Sequence, residues 1–152
     1  MPTFRTGNMW EVFDEVDHFI ITTNAVVKNN GALVMGAGIA KQVRDSFPGI
    51  DADMGAAIYK HCGPDCPLKD RFYGILLGRK IGMFQVKHHY KDDADLRLIQ
   101  QSAGVLDVIA THSPGRTFAL NFPGIGNGKL DYHDVYGLIS HLPDNVQIWT
   151  FK

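Results

Sequence analysis

The sequence predicts an α/β domain in which a mixed sheet is covered by helices on both faces. Two observations carry that expectation. Apolar runs of strand length alternate along the chain with segments of helical periodicity, and one close pair of apolar runs reads as a hairpin. A third feature sharpens it: two glycine-rich loops each follow a strand and lead into a helix.

The elements follow in chain order. TFRTG (3–7) offers a first short strand, and a short helix over 10–16 gives Trp10 a packing surface. HFIITT (18–23) is rich in β-branched residues and reads as a buried strand. Over 38–47, Ile39, Ala40, Val43 and Phe47 share a helical face, and Pro48-Gly49 stops that helix. A second helix over 51–61 carries Met54, Ala57 and Ile58. YGILL (73–77) and IGMFQV (81–86) flank Gly78-Arg79-Lys80 as a hairpin. A long helix is expected over about 93–111, with Leu96, Ile99, Ala103, Leu106 and Ala110 at helical spacing. TFALNF (117–122) is the next strand. A helix over 132–141 stripes Val135, Leu138, Ile139 and Leu142, and VQIWTF (146–151) closes as a strand with Trp149 in the core.

Composition narrows the function classes. The 152 residues fit one domain spanning 1–152, and 45% apolar with 20% charged residues is ordinary globular usage. Fifteen Lys+Arg against sixteen Asp+Glu leave a net charge of −1, which argues against strong, charge-driven binding to duplex nucleic acid. No apolar run approaches the roughly 20 residues needed to span a bilayer, and the first residues are too polar for a secretory signal, so a cytoplasmic protein with no membrane partner is expected. The only cysteines, Cys62 and Cys66, lie in HCGPDC beside His61. Even with Asp65 as a ligand, no second Cys/His pair stands at zinc-site spacing, so neither a structural metal nor a disulfide is expected. With no amphipathic helix left over, a monomer is the expectation.

The two loops point to a phosphate ligand. The first, NAVVKNNGALVMGAG, runs from Asn24 to Gly38; the second is Pro123-Gly124-Ile125-Gly126-Asn127-Gly128. Glycines let successive N–H groups converge on an anion, and a helix N-terminus behind the loop adds a favourable dipole. Two such loops side by side suit a diphosphate. Neither is a nucleotide fingerprint of the familiar kinds. Lys41 stands where a dinucleotide loop needs glycine, Ala37 where a Walker loop needs lysine, and Leu130 follows Gly128-Lys129 where Ser or Thr is required.

The run ITTNAVVKNNGALVMGAGIAKQVRDSFPGI, followed by NFPGIGNGKLDYHDV, resembles a macrodomain. Within that superfamily it looks most like the small stand-alone bacterial and phage members, which group with terminal ADP-ribose protein glycohydrolase and the DNA ADP-ribosyl glycohydrolase antitoxins. The similarity covers nearly the whole chain from Gly7. It implies a three-layer α/β/α sandwich around a mixed, mostly parallel sheet, binding ADP-ribose without cofactor or metal. It further implies that Met35, Gly36, Ala37, Gly38, Ile39 and Ala40 wrap the distal ribose and part of the diphosphate. Pro123, Gly124, Ile125, Gly126, Asn127 and Gly128 would bind the phosphates, and Asn24 would approach the distal ribose. Adenine would rest near Asn8 and Met9. Asn8 departs from the family, which usually carries Asp there, so the carbonyl oxygen would accept from the base without charge assistance.

For catalysis, the resemblance implies that Lys87, ending IGMFQVK, and Asp131, in KLDYHDV, act as a pair. A partly desolvated lysine loses its proton more readily and attacks ribose C1″ or its open-chain aldehyde, while a carboxylate shuttles protons. Each has a plainer role as well: Lys87 as a solvated strand-end residue, Asp131 as the N-cap of the helix that follows. His88, His89 and His133 are secondary acid–base candidates, and Tyr90, Tyr132 and Phe122 read as packing or cleft-lining residues. Three functions are therefore open: hydrolysis of ADP-ribosyl linkages to a protein carboxylate or a nucleic-acid base, non-catalytic binding of ADP-ribose or a related NAD metabolite, and dephosphorylation of ADP-ribose 1″-phosphate with His133 nearest the chemistry.

Overall fold

A computed structural model describes residues 1–151. Six strands form one sheet: β1 (Thr3–Thr6), β2 (His18–Thr23), β3 (Ile75–Leu77), β4 (Ile81–Gln85), β5 (Phe118–Asn121) and β6 (Val146–Thr150). Their order is β1-β6-β5-β2-β4-β3. All neighbours are parallel except β3, which returns antiparallel along β4 through the turn at Gly78–Lys80.

The alternation of side chains along the strands builds two cores. Phe19, Ile21, Met83 and Ala119 point to one face, where α1 (Gly38–Ser46) and α2 (Ile50–Cys62) bring Val43, Met54 and Ile58. Ile20, Phe84, Phe118 and Leu120 point to the other, against Ile99, Leu106, Val135 and Ile139 of α3 (Leu96–Thr111) and α4 (Tyr132–Ile139). The strands therefore carry nearly continuous apolar runs, as strands buried on both faces must. The α/β/α sandwich with a mixed, mostly parallel sheet is as expected.

Several boundaries differ, each for a local reason. The long helix begins at Leu96 rather than near 93, because the Asp95 carboxylate accepts from the Arg97 N–H at 2.8 Å and caps it. The helix expected over 10–16 is a single 3-10 turn, Met9–Val12, capped by Asn8. The fourth helix ends at Ile139, although Leu142 beyond it stays buried. The first hairpin strand shortens to Ile75–Leu77, since the Tyr73 backbone N–H donates instead to the Gln85 side chain at 2.9 Å. No described helix is long and apolar enough to cross a membrane.

Candidate functional site

Five parallel strands end at the same side of the sheet, and a crevice opens there beyond the ends of β2, β4, β5 and β6. Between β2 and β5 the backbone ladder reaches only Ile20 and Leu120. One residue further, the Asn121 carboxamide takes over: its oxygen accepts from the Thr22 N–H and its nitrogen donates to the Thr22 hydroxyl, both at 2.9 Å. In such sheets the strand ends where the connections diverge are the usual ligand position. Here the crevice encloses about 700 Å³, within the usual range for small-molecule sites.

Its walls are the two glycine-rich loops. Val34–Ala40 leads into α1, and Gly124–Gly128 follows β5. The first loop is braced by Asn24, whose oxygen accepts from the Val26 N–H and whose nitrogen donates to the Val34 carbonyl. The second passes so close to α3 that a Cβ on Gly124, at φ 79°, would lie 2.6 Å from Ile99 Cδ1. Only glycine fits there. The loops meet across the crevice: a Cβ on Gly38 would lie 3.5 Å from Asn127 Nδ2.

Charge and hydrogen bonding suit an anion. Among the described residues, no aspartate or glutamate lines the crevice, and Lys87 is its one charged side chain. The helix ends differ in the same sense. Asp95 caps α3 and Asp131 caps α4, but α1 starts at Ala37 with no side-chain cap and no acid in its first turn. Its first N–H groups, with their share of the helix dipole, are thus left for a ligand.

Lys87 follows β4 and is half-buried. Its Nζ donates to the Asp92 carbonyl at 2.8 Å. Burial lowers its pKa from the ordinary lysine value, Asp92 and Asp93 oppose that shift, and Lys129 adds to it. Lys129 adopts the left-handed region at φ 61°, alone among the described non-glycine residues. Such backbone strain concentrates at functional sites.

The structure distributes the expected site residues unevenly. Asn24, Met35–Ala40, Lys87 and Gly124–Gly128 line one crevice. Pro123 is buried behind it. Asn8 is exposed on an adjoining hollow, its side-chain oxygen already accepting from the Trp10 N–H at 3.0 Å. Met9 is wholly buried in the core, so a ligand beside Asn8 can meet only its backbone. Asp131 stands outside the crevice lining; it is exposed and accepts from the His133 N–H at 2.9 Å. His133 is exposed and likewise outside the lining. His88 and His89 lie beyond the strand in the bend after β4.

Two aromatic residues at the crevice are more than wall. Phe151, read from the sequence as the end of a strand, follows β6, is 51% exposed and borders both the crevice and the Asn8 hollow. Its flat face suits a purine. Tyr90 is 44% exposed beside Lys87, its ring stacked on His89 at 4.3 Å. The signal available in the sequence was position: both lie just past the carboxyl end of a strand.

This arrangement, a glycine-walled crevice at the switch point of an α/β/α sandwich, is that of the macrodomain fold. The chain's likeness extends to macrodomains of the DarG type. It superposes on the macrodomain of Thermus aquaticus DarG with a TM-score of 0.71 at 25% identity, covering 100% of this chain and 98% of that one. For the macrodomain of Mycobacterium tuberculosis DarG the TM-score is 0.67 at 25% identity, covering 99% and 97%. Thermosipho africanus DarTG, solved in complex with ADP-ribose, gives 0.69 at 18% identity over 97% of this chain and 41% of that one. No protein-family model matches the sequence, and no curated protein matches it.

Proposed function

We propose that the crevice binds ADP-ribose and that Lys87 hydrolyses ADP-ribosyl linkages in it, to a protein carboxylate or to a nucleic-acid base. The diphosphate lies between the amide-rich loops, the adenine against Phe151 beside Asn8, and the distal ribose towards Lys87. The observation that supports the reading is Lys87 itself: a half-buried amine with a lowered pKa, and among the described residues the one charged side chain lining the crevice. The free amine attacks C1″ or the open-chain aldehyde, the leaving group departs with a proton, and water releases the ribose. The ADP-ribose bound by the Thermosipho protein supports the choice of ligand.

Asp131 is the proposed proton carrier: its Oδ1 accepts from the His133 N–H, which leaves Oδ2 to take up or give a proton. That position outside the lining favours one competing reading, a module that binds ADP-ribose without turning it over. The phosphatase reading is weaker, because His133 is outside the lining too. The test is calorimetric titration with ADP-ribose, followed by assays on ester-linked and base-linked ADP-ribose with the wild type, Lys87→Ala and Asp131→Asn. Binding together with Lys87-dependent release of ADP-ribose supports the enzyme. Binding without release leaves a reader module, and no binding at millimolar ligand removes both.

A further inference from the structure

The opposite end of the molecule holds a second concavity, of a different character. An apolar groove of about 320 Å³ lies between the β3–β4 hairpin and the helices of the first core. Phe13, Phe47, Ile50 and Leu76 line it, each half-buried, so ring and aliphatic surface is left open to water. Leu77, at its margin, is 38% exposed. A groove of this kind beside a sheet edge carries a cost unless something covers it.

The sheet edge at the groove is also unprotected. The two edges of the sheet are β1 and β3. β1 exposes Thr3, Arg5 and Thr6, with the Arg5 guanidinium lying over the Trp149 ring, and a charged edge resists further pairing. β3 reads Ile75-Leu76-Leu77, without charge. Its register fixes which backbone groups are free. Gly78 N–H donates to the Ile81 carbonyl and Gln85 N–H to the Gly74 carbonyl, so the bonded pairs with β4 involve Gly74, Leu76 and Gly78. The alternation of an antiparallel ladder then turns the N–H and C=O groups of Ile75 and Leu77 outward.

Charge along the groove is net positive among the described residues, Arg79 and Lys80 against the one carboxylate of Asp53. Lys80 is engaged, donating to the Val16 carbonyl and lying over the Phe13 ring. Asp53 lies in the first turn of α2, where an acid complements the helix dipole. Arg79, exposed at the hairpin tip, makes no ion pair among the described residues.

We propose that β3 and this groove form a docking site for an extended segment of a partner protein, apolar at alternate positions and acidic where it passes Arg79. The segment adds a strand to the free edge through Ile75 and Leu77, sinks every second side chain into the groove, and sets a carboxylate against the guanidinium. Backbone pairing supplies affinity, and the groove with Arg79 supplies selectivity. The site is at the amino ends of the strands, away from the crevice, so a partner held there leaves the ligand site open.

The probe is a short fluorescein-labelled peptide of alternating leucine and threonine closed by two glutamates, titrated against the full chain by anisotropy. Two control peptides replace the glutamates by lysines or the central threonines by prolines. The expected result is saturable binding of the acidic peptide, at least about tenfold weaker for the lysine peptide and lost for the proline peptide. Arg79→Glu should reverse the preference for acid over lysine, and Leu77→Lys should weaken every peptide that binds, with thermal unfolding showing both variants folded. Absence of saturable binding at millimolar peptide overturns the proposal, as does equal binding of all three peptides. A concentration-dependent dimer in sedimentation that Leu77→Lys dissolves also overturns it, because the edge then belongs to a second copy of this chain.

Discussion

The two ends of the sheet solve opposite problems with the same strands. At the carboxyl ends, loops rich in glycine expose backbone N–H groups around a crevice that, among the described residues, has one cation and no carboxylate. At the amino ends, the β3–β4 hairpin and helices α1 and α2 expose apolar side chains around a groove with a free cation at its rim. One end is written in backbone, the other in side chains. A polar, anionic ligand needs many weak donors held in place, which a loop braced by Asn24 and strand ends tied together by Asn121 provide. An apolar segment needs shape and a strand edge, which loops cannot give.

If the crevice end is the reactive one, the largest effect should come from Lys87→Ala. Turnover of ADP-ribosyl substrates should fall by on the order of 10³-fold, a size ordinary for removing a nucleophile, while ADP-ribose affinity changes much less. Loss of binding and turnover together would instead make Lys87 a phosphate anchor. Gly126→Glu should come next. Gly126 lines the crevice with φ 68° and open space around its missing Cβ, so a glutamate there adds a carboxylate to the crevice wall at the cost of some backbone strain. Affinity for ADP-ribose should drop by at least about tenfold in calorimetry, through like-charge repulsion. An unchanged affinity would place the phosphates elsewhere.

Asp131 separates the two readings of its own position. Asp131→Ala removes the cap on α4 and should lower stability by about 1 kcal/mol, seen as a lower thermal midpoint. Asp131→Asn keeps a capping oxygen and should leave that midpoint nearly unchanged. If Asp131 carries protons, both variants lose hydrolysis; if it is a cap alone, the asparagine variant hydrolyses as the wild type does.

Much of the crevice end was legible, and the groove end was not, for a physical reason. The crevice is built from contiguous runs, and a strand followed by a glycine-rich loop followed by a helix announces itself in the order of residues. Even the plainer role of Asp131 was visible, since an N-cap is defined by the few residues after it. The groove draws on Phe13, on Phe47 and Ile50 at the α1–α2 junction, and on Leu76, three separate segments that no periodicity relates. Tyr90 was read as a packing or cleft-lining residue and does line the crevice, whereas Phe151 was missed, because a strand-end aromatic is exposed or buried according to what the neighbouring strands bring beside it. The helix expected over 10–16 failed locally, because Asn8 caps a turn that Phe13 already ends by donating its N–H to the Trp10 carbonyl.

The smallest expected effect tests whether the crevice end tunes its lysine. Only the neutral amine of Lys87 is nucleophilic, so activity should rise with pH as Lys87 loses its proton. Because burial lowers its pKa, the rising limb should lie below the ordinary lysine range. The neighbours then move the limb in opposite directions. Lys129 disfavours the charged form, so Lys129→Gln should shift the limb to higher pH; Asp92 favours it, so Asp92→Asn should shift it lower. Both shifts should shrink with added salt, as befits partly solvated charges. A pH–rate series on the three proteins at two ionic strengths decides the matter. Limbs that coincide would assign the titration to another group, and the lowered pKa of Lys87 would then be a consequence of its burial with no part in the rate.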